Sequence, residues 1–279
     1  PWGEAEHYEP LIHDGLHAAL ELVGQKHQVD WYLGDNEPED SYDWIIPLGV
    51  GSLPINFKLD NYKRARKALL CAGHPDDLTN MEKFECVFVE SPAVYEKMKP
   101  HCKKIVLAFG TDTDFFKPRN LPKVVDAFYP ATFSPWKRQT LFAEAVGARG
   151  LACGTVQPDG IGHLESCRTQ KTHTLVGFVP TAMVARLYNM SKVCVIAGWH
   201  GSERTALEAM ASNIPLVVAS DNELTCSLLT DECLKVEPTP LAVWQGVSDS
   251  LNKKVNTREH VLKNYSHTEY ARKILEELE

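Results

Sequence analysis

Short apolar runs alternate with amphipathic stretches along nearly the whole chain. The clearest case is 193–220, VCVIAGWHGSERTALEAMASNIPLVVAS. The run at 193–197 has the length and continuity of a strand buried on both faces of a parallel sheet, and 216–219 is a second one. Between them Leu207, Met210 and Ala211 fall on one helical face. Ser202 stands where an N-cap belongs, and Asn213 and Pro215 stop the helix. The stretch predicts strand, glycine turn, helix and strand in succession.

The same grammar extends in both directions. Leu11, Gly15, Leu16, Ala19, Leu20 and Val23 recur at helical spacing, and Gly24 ends that helix. Strands are predicted at 29–33, 44–48, 68–72, 86–89 and 105–108 in the first half, and at 124–129, 151–153, 174–178 and 234–236 in the second. A helix carrying Leu141, Phe142, Ala145 and Val146 follows Lys137-Arg138, and another carries Met183, Val184, Leu187 and Tyr188. Further helices are predicted at 224–229, 241–251 and 269–278, while the polar stretch 157–172 reads as a loop or irregular helix. Strands alternating with helices imply parallel sheets, and their number is too large for one small sheet. The fold class is α/β, as two Rossmann-like domains facing a cleft. The expected boundaries are 1–117 and 118–279, with a linker at about 117–122 in the Gly-, Asp- and Pro-dense turn FGTDTDFFKPRNLP. Pro1 already lies inside a motif, so a strand is expected before it. The terminal helix is a candidate to pack back on the first domain.

Composition narrows the function. The 279 residues carry a formal net charge of −8, which argues against a broad nucleic-acid surface. No segment is long and apolar enough to span a bilayer. The cysteines at 71, 86, 102, 153, 167, 194, 226 and 233 form no close CxxC pair, and several sit in apolar runs. That usage suits free thiols in a reducing, cytoplasmic setting rather than disulfides or a zinc site.

Candidate chemistry clusters at predicted strand ends. A phosphate at Gly201-Ser202 would meet backbone N–H groups and the positive end of a helix dipole. Glu208, one turn in, could accept hydrogen bonds from ligand hydroxyls, the alternative being an ordinary surface Glu. Gly3 would let backbone approach a ligand, the alternative being a tight turn with none. The loop 49–52 and His74 also follow predicted strands, where ligands bind in open α/β sheets. A histidine there suits acid/base or hydrogen-bonding work, or is simply solvated. Lys137 and Arg138 oppose the dipole of the helix they open, so an anion should compensate them: a bound diphosphate, or a nearby Asp or Glu.

Taken in order, these segments resemble a GT-B glycosyltransferase, and more narrowly the retaining group numbered family 4. GEAE at 3–6 resembles the family's amino-terminal GGAE loop, and Gly24, His27 and Val29 its GHxV strand entry. VFVES at 87–91, FGTDTDFFKP at 109–118, GFVPTAMVARLY at 177–188, and EAMA at 208–211 followed by IPLVVAS are similarly near. The resemblance implies transfer of a sugar from a nucleotide diphosphate sugar, held mainly by the carboxyl-terminal domain, to an acceptor: a glycan, lipid, small molecule or protein. It assigns Lys137 to the diphosphate, Glu208 to the ribose as the second Glu of an E-x7-E pattern, the backbone of Phe178 and Val179 to the base, and His74 to the reacting sugar. His200 stands at the first Glu of that pattern, with Glu203 three residues on. The family's diphosphate arginine falls on Ala131 or Thr132, which leaves Arg138 as a candidate replacement.

The expected donor site is therefore Gly3, Lys137, Arg138, Phe178, Val179, His200, Gly201, Ser202, Glu203 and Glu208, with His74 as the catalytic candidate. His74 and His200 would orient sugar hydroxyls. Neither cofactor nor metal is expected: Lys137, Arg138 and the amide groups near Gly3 and Gly201-Ser202 would neutralise the diphosphate, and the DxD that Asp112 and Asp114 spell fits the inter-domain turn better. A binding protein that kept the fold and lost transfer is the alternative, and a GT-B epimerase or phosphorylase stays open. A nicotinamide-dependent oxidoreductase is disfavoured by the lack of a GxGxxG turn with an acidic residue about 20 positions on.

Overall fold

The computed structural model of the protein describes residues 15–30, 41–50, 62–72, 78 and 81–279. The chain divides into two compact units, 1–110 with 265–279, and 111–264. The seam precedes the sequence-based boundary at 117/118, and the expected linker at 117–122 lies inside the second unit.

The first unit is built on parallel strands β1 (Trp44–Ile45), β2 (Leu48–Val50), β3 (Arg66–Ala72), β4 (Cys86–Val89) and β5 (Ile105–Leu107). Strands β1 and β2 both pair with β3, followed by β4 and β5. All four residues of β4 are buried, as an apolar run in a parallel sheet must be. Helix α1 (Gly15–Val23) closes with the Gly24 N–H on the Leu20 carbonyl at 2.8 Å. Residues 28–30 are not a strand, and the rest of the strand expected at 29–33 lies outside the described residues. Helix α2 (Pro92–Met98) is capped by Ser91, whose hydroxyl accepts from the Val94 N–H.

The last helix of the chain, α10 (His267–Leu278), belongs to this unit. Its Tyr270, Ala271 and Ile274 join Ala19 and Val23 of α1 and Ala68, Leu70 and Phe88 of the sheet in one core. The Trp44 indole N–H reaches the Leu278 carbonyl at 3.2 Å.

The second unit holds a six-stranded parallel sheet. Its strands are β6 (Val125–Pro130), β7 (Gly150–Gly154), β8 (His173–Val176), β9 (Ser191–Ile196), β10 (Leu216–Ala219) and β11 (Leu234–Val236), in spatial order β11-β10-β9-β6-β7-β8. The chain starts in the middle with β6, runs outward to β8, returns to β9 and runs outward the other way. The order reverses between β6 and β9, and the crevice beyond the carboxyl ends at that point is where open α/β sheets take ligands. Central β9 and β10 are buried almost throughout; β8, at the edge, is largely exposed.

The connecting helices are α3 (Gln139–Val146), α4 (Ile161–Thr169), α5 (Thr181–Met190), α6 (Glu203–Ala211), α7 (Glu223–Cys226), α8 (Pro240–Ser250) and α9 (Thr257–Asn264). Most of the polar stretch 157–172 is thus the helix α4. Its polarity follows from burying only Leu164 and Cys167. Asn213, with φ 53, ends α6 in the left-handed conformation that its side chain tolerates. The Arg258 guanidinium donates to the carbonyls of Phe116, Ala211 and Thr113 at 2.7–2.8 Å, fastening the turn at 113–116 to the end of α6. Asp112 belongs to that turn, its carboxylate accepting from the Asp114 and Phe115 N–H groups.

Candidate functional site

Two loops leave the sheet at the switch point, one after β6 and one after β9, and a lattice of hydrogen bonds ties them together. The Tyr129 hydroxyl, buried at the end of β6, donates to the Lys137 carbonyl at 2.7 Å and accepts from the Gly198 N–H at 3.1 Å. Burial pushes that phenol's pKa up, so it stays protonated and able to do both. The Trp199 N–H reaches the Trp136 carbonyl at 3.0 Å. A side chain at Gly198 would stand 2.7 Å from that same carbonyl, so only glycine lets the loops approach this closely. Buried Gln139 holds the first loop from below, its amide donating to the Thr132 carbonyl at 2.7 Å.

A third loop, following β10, secures the second. The Asn222 amide donates to the carbonyls of Gly198 and Gly201 at 2.9 and 2.8 Å, and the Thr225 hydroxyl to Gly201 at 3.0 Å. Gly201 and Ser202 adopt φ of 67 and 89. Ser202 is the N-cap residue of α6 that the sequence suggests, but in this left-handed conformation its side chain makes no cap bond. Its hydroxyl instead accepts from the Lys137 ammonium at 2.8 Å, which also donates to the His200 carbonyl at 3.1 Å.

Lys137 therefore sits against the start of α6, where the first N–H groups of the helix point outward without intrahelical partners. Burial lowers its pKa to about 8, a shift partly opposed by the charge of Glu203. Glu203, the first residue of α6, is only 6% exposed, and its Oε1 is buried with no hydrogen-bond partner among the described residues. A Cβ placed on Gly201 would lie 2.7 Å from the Lys137 Nζ and 3.9 Å from the Glu203 Oε2, so ammonium and carboxylate flank one glycine. A buried carboxylate oxygen without a partner is costly, and a ligand hydroxyl would satisfy it.

Arg138 differs from its neighbour. It adopts φ 48, uncommon for a residue with a side chain, and its guanidinium grips Asp221 through two bonds of 3.2 and 2.7 Å. An Asp is thus the anion that compensates Arg138.

Glu208 lies in the second turn of α6, 9% exposed, and its Oε2 accepts from the hydroxyl of Tyr188 on α5 at 3.0 Å. The Tyr188 phenol is fully buried, and burial together with that carboxylate raises its pKa well above the usual value. One oxygen of Glu208 is thus committed inside the protein. Phe178, past the end of β8, is 58% exposed, and Val179 is half-buried beside it.

The structure brings Lys137, His200, Gly201, Ser202 and Glu203 into one constellation. It sets Arg138 on Asp221, Glu208 on Tyr188, and Phe178 with Val179 at the sheet's outer edge. Gly3 and His74 lie outside the described residues, as do residues 51 and 52 of the loop at 49–52. Sequence reasoning missed Tyr129, Asn222, Thr225 and Asp221. Asn222 and Asp221 follow the apolar run of β10 as a polar pair at a strand's carboxyl end, the one signal that could have found them. The cysteine thiols at 71, 86 and 153 are pushed up to about 12 by burial, which makes them inert packing groups. Among the described residues no helix is long and apolar enough to cross a membrane, and no group of three or more His, Cys, Asp and Glu is arranged to hold a metal ion.

No protein-family model and no curated protein matches the chain. Solved structures do. A sucrose-phosphate synthase from Thermosynechococcus elongatus aligns with a TM-score of 0.66 at 18% identity, over 92% of this chain and 75% of that one. S. aureus TarM, a mutant in complex with fondaparinux, α-GlcNAc-glycerol and UDP, aligns at 0.64 and 15% identity, over 78% of this chain and 52% of TarM. Anabaena HepE in complex with UDP and glucose aligns at 0.63 and 12% identity, over 77% and 72%. At these identities the likeness establishes the fold: α/β with parallel sheets, matching GT-B glycosyltransferases.

Proposed function

We propose that this chain is a glycosyltransferase that moves a sugar from a nucleotide diphosphate sugar to an acceptor hydroxyl, retaining the anomeric configuration and using no divalent metal. The observation that carries the reading is the Lys137 ammonium, held between the His200 carbonyl and the Ser202 hydroxyl at the first turn of α6, at the switch point of the sheet. Fold likeness to glycosyltransferases, two of them solved with UDP, supports it and makes UDP the first nucleotide to try.

In this reading the diphosphate lies across Gly201-Ser202. Lys137 and the α6 N–H groups neutralise charge that grows on the leaving oxygen, so they act more strongly in the transition state than on the bound donor. As the bond from the anomeric carbon to the phosphate oxygen breaks, the acceptor oxygen attacks from the same face. Its proton passes to the departing phosphate, so no side-chain nucleophile is needed. Glu203, His200 and, by resemblance, His74 orient sugar hydroxyls. By resemblance, Glu208 takes a ribose hydroxyl, and the backbone at Phe178 and Val179 meets the base.

Thermal-shift screening with UDP, GDP and ADP and their sugars identifies the donor, since a ligand raises stability by RT ln(1 + [L]/Kd). Donor turnover should then fall in both Lys137→Ala and Glu208→Ala; unchanged turnover in both would refute the reading. One observation favours a second reading, a nucleotide-sugar binder that has lost transfer: Arg138 is already occupied by Asp221. Calorimetric binding of a nucleotide, with neither transfer nor hydrolysis of its sugar, would select it.

A further inference from the structure

The proposed diphosphate site is bordered by a residue with no part in holding phosphate. Trp199 is 48% exposed, although tryptophan is on average among the more buried side chains. It is not a loosely tethered surface residue. Its backbone N–H is bonded to the Trp136 carbonyl, the glycine before it is wedged against Trp136 and Lys137, and the carbonyl of the residue after it holds the Lys137 ammonium. The indole stands beside the His200 imidazole, ring centroids 5.7 Å apart and planes inclined at 44°.

Two features of the constellation point to the same ligand chemistry. An exposed, rigidly anchored aromatic face is electron-rich and suits a ring whose C–H groups carry partial positive charge. The buried Glu203 Oε1 lacks a donor, and a hydroxyl would supply one. A pyranose offers both, an apolar C–H face and a hydroxyl edge.

We propose that Trp199, with His200 beside it, forms an aromatic platform for a neutral pyranose ring attached to the phosphate held at Lys137, and is a specificity-determining residue for the transferred sugar. The inference rests on the donor-site reading and deepens it. A phosphorylated sugar without a base isolates the platform, so the test compares inorganic phosphate with glucose 1-phosphate, followed by the NMR shift of the indole N–H assigned through Trp199→Phe.

In the wild-type protein glucose 1-phosphate should bind roughly fivefold more tightly than phosphate, the order expected for a single aromatic contact. Trp199→Ala should abolish that ratio while leaving phosphate affinity unchanged, and Trp199→Phe should keep most of it. A ratio that survives Trp199→Ala overturns the proposal, as does a wild-type protein that does not distinguish the two ligands. Equal loss for both ligands would make Trp199 a structural support of the loop and also overturn it. Uridine binding that depends on Trp199 would assign the indole to the base instead. Failure of UDP, GDP and ADP all to bind, with the glucose 1-phosphate ratio intact, would reject the nucleotide reading alone.

Discussion

The two ends of the proposed nucleotide site are built differently. At the switch point, Tyr129, Asn222, Thr225 and Gln139 lace three loops together through buried and part-buried hydrogen bonds. At the outer edge, β8 exposes Leu175 and Val176, and Phe178 follows a glycine with φ 100 that has open space around its Cα. The inner end is pre-shaped, so little conformational freedom remains to be lost when a phosphate arrives. The outer end must order or cover apolar surface when a base arrives, which suits it to adjusting its fit. In the proposed function, charge recognition therefore falls to fixed groups and base recognition to adaptable ones.

The largest effect should come from removing the inner cation. Lys137→Ala is expected to lower donor turnover by about 10²-fold or more, the usual scale for one preorganised group facing developing charge. Phe178→Ala, at the other end, should change it only a few-fold. Steady-state kinetics on both variants tests the contrast, and comparable losses would abolish it.

Next comes the lattice itself. Tyr129→Phe leaves a buried Gly198 N–H without its acceptor, a loss of about 1–3 kcal/mol. In a chain of this size that corresponds to a drop of very roughly 2–4 °C in melting temperature per kcal/mol, readable by differential scanning calorimetry. Phe178→Ala should leave the melting temperature where it is, because the exposed ring adds little packing.

The pH dependence separates the ends more finely. Lys137 is charged below about pH 8 and loses its proton above, so affinity for UDP should decline as pH rises through 8, by at most about tenfold per unit. The stability of the unliganded protein has the opposite slope. The folded-state pKa is lowered, so between about 8 and the ordinary lysine value the unfolded chain binds more protons than the folded one, and folding becomes more favourable as pH rises. Calorimetric titration and chemical denaturation between pH 7 and about 10 should therefore give crossing trends, and Lys137→Met should flatten both.

The smallest effect concerns Arg138. Its pair with Asp221 is partly exposed, so Asp221→Asn should change stability by no more than about 1 kcal/mol while freeing a guanidinium near the phosphate loop. A modest gain in UDP affinity is expected by isothermal titration calorimetry; a loss would mean that Arg138 works only while Asp221 holds it.

Much of the inner end is legible in the chain. The continuous apolar runs of β9 and β10, the amphipathic face of α6, the stop at Asn213-Ile214-Pro215 and the cationic pair at 137–138 follow from local pattern, because buried parallel strands and helix ends impose their own periodicities. The parallel α/β class follows from the alternation of those elements. Pattern could not settle which anion meets Arg138, since Asp221 is distant in sequence and arrives only because β10 lies next to β9. For the same reason Ser202, with N-cap chemistry, becomes a lysine's acceptor: Asn222 and Thr225 fix the Gly201 carbonyl, and the chain turns left-handed there. Local sequence determined the elements and their chemistry; the strand order, which gathers loops from distant positions at one sheet edge, decided which side chains meet.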